Sequence, residues 1–164
     1  MKAYDTTLIS PICYPYNVSK QENLNYVTYC GLYCKLCSNN SRIKSQACEL
    51  QRMLLEEGFN YFYHPDSPFW KVLGELANMN CQCRVGGGPP DCGIRECARD
   101  KAVESCPQCK EYPCAKILEF AETYPNLIQD GKRQRKIGLE KWVREQEERA
   151  KRGAVFTDLR IPRE

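Results

Sequence analysis

Histidine is almost absent from this chain, with His64 alone among 164 residues. That scarcity excludes metal sites built on paired imidazoles, and His64, before a proline in an aromatic patch, reads as a packing residue rather than a base. No run of about 18 apolar residues occurs, so no membrane-spanning helix is expected. The opening MKAYDTTLISPICYPYN has no apolar core, so it is not expected to act as a secretory signal. Gly86-Gly87-Gly88-Pro89-Pro90 lacks the Gly-Lys-Ser/Thr ending of a phosphate-binding loop, which argues against a nucleotide site. The formal net charge of +3 is too small to imply nucleic acid by itself.

Cysteine is what the chain has in excess: twelve residues. Without an export signal, a reducing cytoplasmic setting is expected, where clustered thiols hold metal more often than they form disulfides. Spacing points the same way. A Cys-x-x-Cys turn brings two sulfurs to within about 4 Å, as a tetrahedral ion with sulfur at about 2.3 Å requires. Cys34 and Cys37, and Cys106 and Cys109, have that gap. Cys30 stands four before Cys34, Cys81 and Cys83 flank one residue, Cys92 and Cys97 are five apart, and Cys114 follows Cys109 by five.

These ten cysteines suffice for two four-sulfur sites and two zinc ions are expected. One site would take Cys30, Cys34, Cys37 and cysteines of the 81–92 loop. The other would take Cys92 or Cys97 with Cys106, Cys109 and Cys114. Iron–sulfur clusters are the alternative, since cysteine-only ligation suits them equally, although the ferredoxin spacing is absent. Cys30-x-x-x-Cys34-x-x-Cys37 also has the spacing of radical S-adenosylmethionine enzymes, but the chain is too short for the barrel they need. Cys13 and Cys48 lie outside the clusters and read as small buried hydrophobes, with Cys48 a further candidate for the first site. Asp91 and Arg95 flank the ligands and could balance thiolates or serve as helix-cap and surface charges.

The expected fold is mainly α: a small helical domain with cysteine-rich metal-binding loops and little β structure. Residues 1–29 read as an arm, 30–131 as the cysteine-rich domain, and 132–164 as a charged helix and tail packed on it. Helices are expected over Ser45–Glu57, from Ser67 to about Met79, over Ile94–Val103, from Pro113 to about Tyr124, and over Lys132–Arg152. The second would bury Trp70, Leu73, Leu76 and Ala77. The fourth would bury Cys114, Ile117, Leu118, Ala121 and Tyr124, and its positive end would favour a Cys114 thiolate.

Residues 131–164 carry 11 Lys/Arg against 6 Asp/Glu. Glu140–Arg144, Glu145–Arg149, Glu147–Lys151 and Glu148–Arg152 stand at i,i+4 with the acid first, as in a self-paired solvated helix. Only Lys132–Lys136 is unbalanced, so a protein partner is favoured over nucleic acid. No catalytic group is signalled, and a binding or adaptor module is the leading function, the alternative being an iron–sulfur redox protein or accessory protein of an anaerobic enzyme.

With CGLYCKLC (Cys30–Cys37), CGIRECARDKAVESCPQCKEYPC (Cys92–Cys114) and IGLEKWVREQEERAKRG (Ile137–Gly153), the chain resembles an uncharacterised cysteine-rich family of bacteria and archaea. The family is a domain of unknown function with predicted zinc binding. Over about residues 28–160, the resemblance implies metal ligands at the cysteines and no particular reaction. Members usually have a cysteine three before Cys92, where this chain has Pro89.

Overall fold

One glycine, a serine and a proline set limits of the first helix pair. The computed structural model describes residues 23–59, 67–79 and 81–160, and the chain divides into two compact units. The described part of one lies within 39–80; the other joins the segment ending at Ser38 to everything from Cys81 onward. Residues 1–22 of the expected arm, with Cys13, and likewise His64 lie outside the described residues, while residues 23–29 belong to the second unit and bury Val27 in its core.

In the first unit, α1 (Arg42–Glu56) ends two residues before Gly58, which takes a φ of +70° that an L side chain would resist. It begins earlier than its apolar pattern indicates, because Arg42, Ile43 and Lys44 continue the helix without cost. Ser67 precedes α2 (Pro68–Ala77), and Pro68 occupies the first turn, where its missing N–H breaks no helical bond. Ala47 and Cys48 meet Leu73 and Ala77, while Leu54, Trp70 and Leu76 pack around them. The two alanines let the helices approach closely; Cys48 Sγ stands 3.5 Å from the Ala77 carbonyl oxygen. Cys48 is buried as expected, but it is disulfide-bonded, with a partner outside the described residues, so it is neither a lone thiol nor a ligand of the first site.

The second unit is built on short turns and helices. Among its described residues there is no strand, only an antiparallel bridge between Val27 and Tyr33. Short 3-10 turns at Cys34–Leu36, Cys83–Val85 and Cys106–Gln108 carry Cys34, Cys83 and Cys106, with Cys37 and Cys109 capping the first and the last. The helices are α3 (Gly93–Asp100), α4 (Ala115–Ala121), α5 (Leu127–Ile137), α6 (Leu139–Lys151) and α7 (Thr157–Arg160). The fold is thus mainly α. No helix among the described residues is long and apolar enough to cross a membrane.

The core unites Val27, Tyr33 and Leu36 with Ile117, Leu127, Trp142, Val143 and Phe156. Phe156 N–H donates to the Leu36 carbonyl at 2.8 Å, so the tail docks on the first cysteine turn. Tyr33 donates its hydroxyl proton to Glu147, and Lys35 Nζ donates to the same carboxylate at 2.8 Å, fastening that turn to α6.

Three expectations about helices need correction. The helix expected over Lys132–Arg152 is a pair, α5 and α6, broken at Gly138 with a φ of +81°. A straight rod could not return both Leu127 and Trp142 to one core; the hairpin does, and its ion pairs cross between helices. Arg133 pairs with Glu145 at 2.5 Å and Arg149 with Asp130 at 3.2 Å, while Glu147 turns to Lys35, in place of the expected Glu145–Arg149 and Glu147–Lys151 pairs. α3 stops at Asp100, before Val103, because Ala102 adopts a φ of +49° and the Val103 N–H closes on the Ala98 carbonyl. On α4, Ile117 is fully buried but Leu118 is 52% exposed, since only the Ile117 side of this short helix meets the core.

Gly131 is a close-approach glycine. A Cβ there would stand 1.9 Å from the Tyr112 hydroxyl oxygen and 2.5 Å from its Cζ. Tyr112 is held in place by its hydrogen bond to the Leu127 carbonyl at 3.2 Å. Gly131→Ala, which in an open helix stabilises by about 1 kcal/mol, is therefore expected to destabilise by about 1–3 kcal/mol. Thermal melts of the two proteins check the sign. Tyr112→Phe should relieve little of it, because the ring carbon still clashes.

Candidate metal centre

Each cysteine turn is closed by its own backbone. Cys37 N–H donates to the Cys34 carbonyl at 3.0 Å, and Cys109 N–H to that of Cys106 at 2.9 Å. The two turns are then pressed together. Cys106 N–H donates to the Tyr29 carbonyl at 2.7 Å, and a Cβ on Gly31 would lie 2.8 Å from Pro107 Cγ. Glycine at 31, with a φ of +97°, is what lets the first turn lie on the second.

The 81–90 loop is folded back on itself in the same way. Gly87 N–H donates to the Gln82 carbonyl at 2.9 Å, and a Cβ on Gly87 would stand 2.5 Å from the Cys81 carbonyl carbon. Arg84 ties this loop to the rest of the unit. Its Nε donates to the Val27 carbonyl at 2.6 Å, another guanidinium nitrogen donates to the Glu104 carbonyl, and its charge lies 4.9 Å from the Tyr29 ring centre. Arg99 lies over the same ring at 5.6 Å.

Arg95 is 7% exposed and donates to three carbonyls of the loop: Gly87 at 2.9 Å, Pro89 at 2.7 Å and Pro90 at 2.8 Å. It is neither a surface charge nor a hydrogen-bond donor to sulfur. It clamps a segment whose glycines and prolines cannot form regular structure. Asp91 is exposed.

Ten described cysteines carry thiols rather than disulfides, and all ten belong to the second unit. Cys97, Cys106, Cys109 and Cys114 line one void of about 20 Å³, closed on its other sides by residues including Tyr112 and Ile117. Cys114 stands just before α4 as its capping residue. Burial pushes the Cys106 thiol up to about 12, and the negative charge that Cys30, Cys114, Cys97 and Cys109 would carry adds to the rise.

A second neighbourhood surrounds Cys34. Burial pushes its thiol up to about 12; a backbone hydrogen bond from Cys83 opposes this, and Cys81, Cys83 and Cys37 reinforce it. Cys30 rises to about 11, first through burial. Thr28, whose Oγ1 is 3.0 Å from the sulfur, and the Leu32 backbone hold it down, and Cys83 and Cys92 push it further. Cys30 thus lies close to both neighbourhoods. Among the described residues, no three His, Cys, Asp or Glu side chains are arranged to hold an ion as they stand.

Sequence reasoning missed two supports of this region. Ser105, fully buried, donates to Gln134 Oε1 at 2.7 Å, joining α5 to the Cys106 turn. Arg135 donates to the Cys109 carbonyl at 3.0 Å, so part of the basic Lys132–Lys136 segment serves the fold. Neither carries a local signal, because a serine before a turn and an arginine on a polar helix are commonplace at the surface.

No curated protein and no solved structure shows significant similarity to the chain. One family model does match, over residues 26–119, and the chain belongs to that family, described as "Protein of unknown function (DUF3795)".

Proposed function

We propose that this protein is a non-catalytic binding module whose second unit folds around zinc held by cysteine thiolates. The observation that carries the reading is the void lined by Cys97, Cys106, Cys109 and Cys114, which draws cysteines of α3, of the Cys106–Cys109 turn and of the α4 cap to one place. The donor chemistry fits. Crowded buried thiols resist ionisation when only other thiols surround them, and a divalent cation reverses that preference by replacing the protons.

Those four would hold one ion. Cys34 and Cys37, with Cys30 and cysteines of the Cys81–Cys92 loop, would hold the other. The bound ion would supply cross-linking between turns that have little backbone pairing of their own. A site closed by four sulfurs leaves no position for substrate, which is why the reading is a structural centre and not an active site. It also requires a reducing setting, such as the cytoplasm, to keep the ten thiols available.

Elemental analysis of protein purified without oxygen tests this. Two zinc ions per chain in a colourless sample are expected, with Cys109→Ser losing one. Stoichiometric iron with broad absorbance near 400 nm would replace zinc by iron–sulfur clusters. A metal-free sample with its thiols intact would overturn the reading.

A further inference from the structure

The hairpin of α5 and α6 carries an open groove of about 550 Å³, far from the cysteines in sequence and outside the family match. Its three carboxylates are already neutralised. Glu145 is paired with Arg133 at 2.5 Å, Asp130 with Arg149 at 3.2 Å, and Glu148 with Lys151 at 2.8 Å. Arg144 and Arg152, which also line the groove, form no ion pair or hydrogen bond among the described residues; Arg152 only lies near enough to Glu148 to help hold that carboxyl below its ordinary range. The groove with its ion-pair partners therefore carries an excess of two positive charges.

Gln146 lines the groove wall. It is 2% exposed, and its Oε1 accepts from Arg149 at 2.8 Å, which fixes the amide's orientation. Its Nε2 donates to nothing among the described residues. The start of α5 adds to the positive character, since Asn126 lines the groove and makes no side-chain cap bond there.

We propose that this groove is the docking site for an acidic peptide segment of a partner protein. The proposal takes up the binding-module reading and names its partner class, without depending on the metal. Arg144 and Arg152 are eight residues apart on α6, a rise of about 12 Å. An extended peptide covers that distance in about four residues, so two acidic side chains separated by neutral ones meet both arginines. A peptide carbonyl satisfies Gln146 Nε2, and peptide N–H groups face carboxylates that keep free lone pairs. A continuous line of phosphates would instead bring charge against Asp130, Glu145 and Glu148, which disfavours nucleic acid.

Fluorescence anisotropy of the full chain tests it. The probe is a fluorescein-labelled alanine–serine peptide carrying two glutamates four positions apart, with the matched glutamine peptide, an oligothymidylate and inorganic phosphate for comparison. The glutamate peptide is expected to bind, at least about tenfold more tightly than the glutamine peptide, with affinity falling as salt rises. The double variant Arg144→Ala/Arg152→Ala should lose at least about tenfold while its melting curve stays unchanged. Gln146→Glu keeps the acceptor for Arg149 and should also weaken binding. Equal binding of the two peptides, or no loss in the double variant, overturns the proposal. Tighter binding of the oligothymidylate overturns the choice of partner, and full displacement by millimolar phosphate overturns the need for a peptide. Metal content measured on the same sample separates this result from the zinc question.

Discussion

Withdrawing the metal with excess chelator, under anaerobic conditions, is expected to abolish the helical circular dichroism of the second unit. Its core is small, and the Cys81–Cys92 and Lys101–Cys114 stretches that surround the core are mostly irregular. On the proposed reading, each structural zinc contributes about 10–16 kcal/mol of apparent binding free energy, against a whole-domain stability of about 5–15 kcal/mol. Losing either ion would exhaust the margin. Far-UV circular dichroism and thermal melts before chelation, after it and after zinc is restored check this; an unchanged spectrum and melt would refute it.

The pH dependence should reverse between the two forms. Should chelated protein keep its fold, against that expectation, the Cys34 and Cys106 thiols, raised by burial to about 12, set its pH dependence. The stabilisation from keeping them neutral is complete below the ordinary thiol range near 9 and is lost as pH rises from there toward 12. In loaded protein, protons compete with the ion for sulfur, so stability should instead fall on acidification.

Arg95→Met is expected to cost about 3–5 kcal/mol, the second large effect. The variant conserves much of the side-chain volume but strands the Gly87, Pro89 and Pro90 carbonyls, which the guanidinium now satisfies together. Arg95→Lys should recover only part of the loss, because an ammonium cannot present the same planar fork to three acceptors. Urea unfolding of the three proteins measures the ranking. If Met and Lys were equally harmless, the loop would be held by its own turns and not by this contact.

Helix identity was legible where apolar spacing met a stop signal, as at Gly58 after α1 and Pro68 at the head of α2. Gly138 was not, because one glycine inside a helix costs only about 1 kcal/mol and its sequence context does not show whether the core requires a reversal. The partners of Glu145 and Glu147 followed from that hairpin, so they were hidden with it. In the candidate centre, Cys97, Cys106, Cys109 and Cys114 line one void, whereas their spacing left Cys92 and Cys97 as alternatives, because a five-residue gap does not say which of the two faces the later turn. The role of Arg95 was half visible: its closeness to the cysteines was plain, but its acceptors are carbonyls of the loop, and no residue type announces a carbonyl. Cys48 could not be read, since a disulfide depends on a partner brought near by folding.

The described part of the first unit leaves the chain after Ser38 and returns at Cys81, and Cys34 nevertheless feels the charge of Cys81 and Cys83. The stem of this excursion is therefore pinched shut by sulfur-bearing turns. Closing a longer or shorter detour changes the loop-closure entropy by only about 0.6 kcal/mol per doubling of its length. Such a cassette can lengthen or shrink at little cost in stability, because the turns that close its stem belong to the other unit.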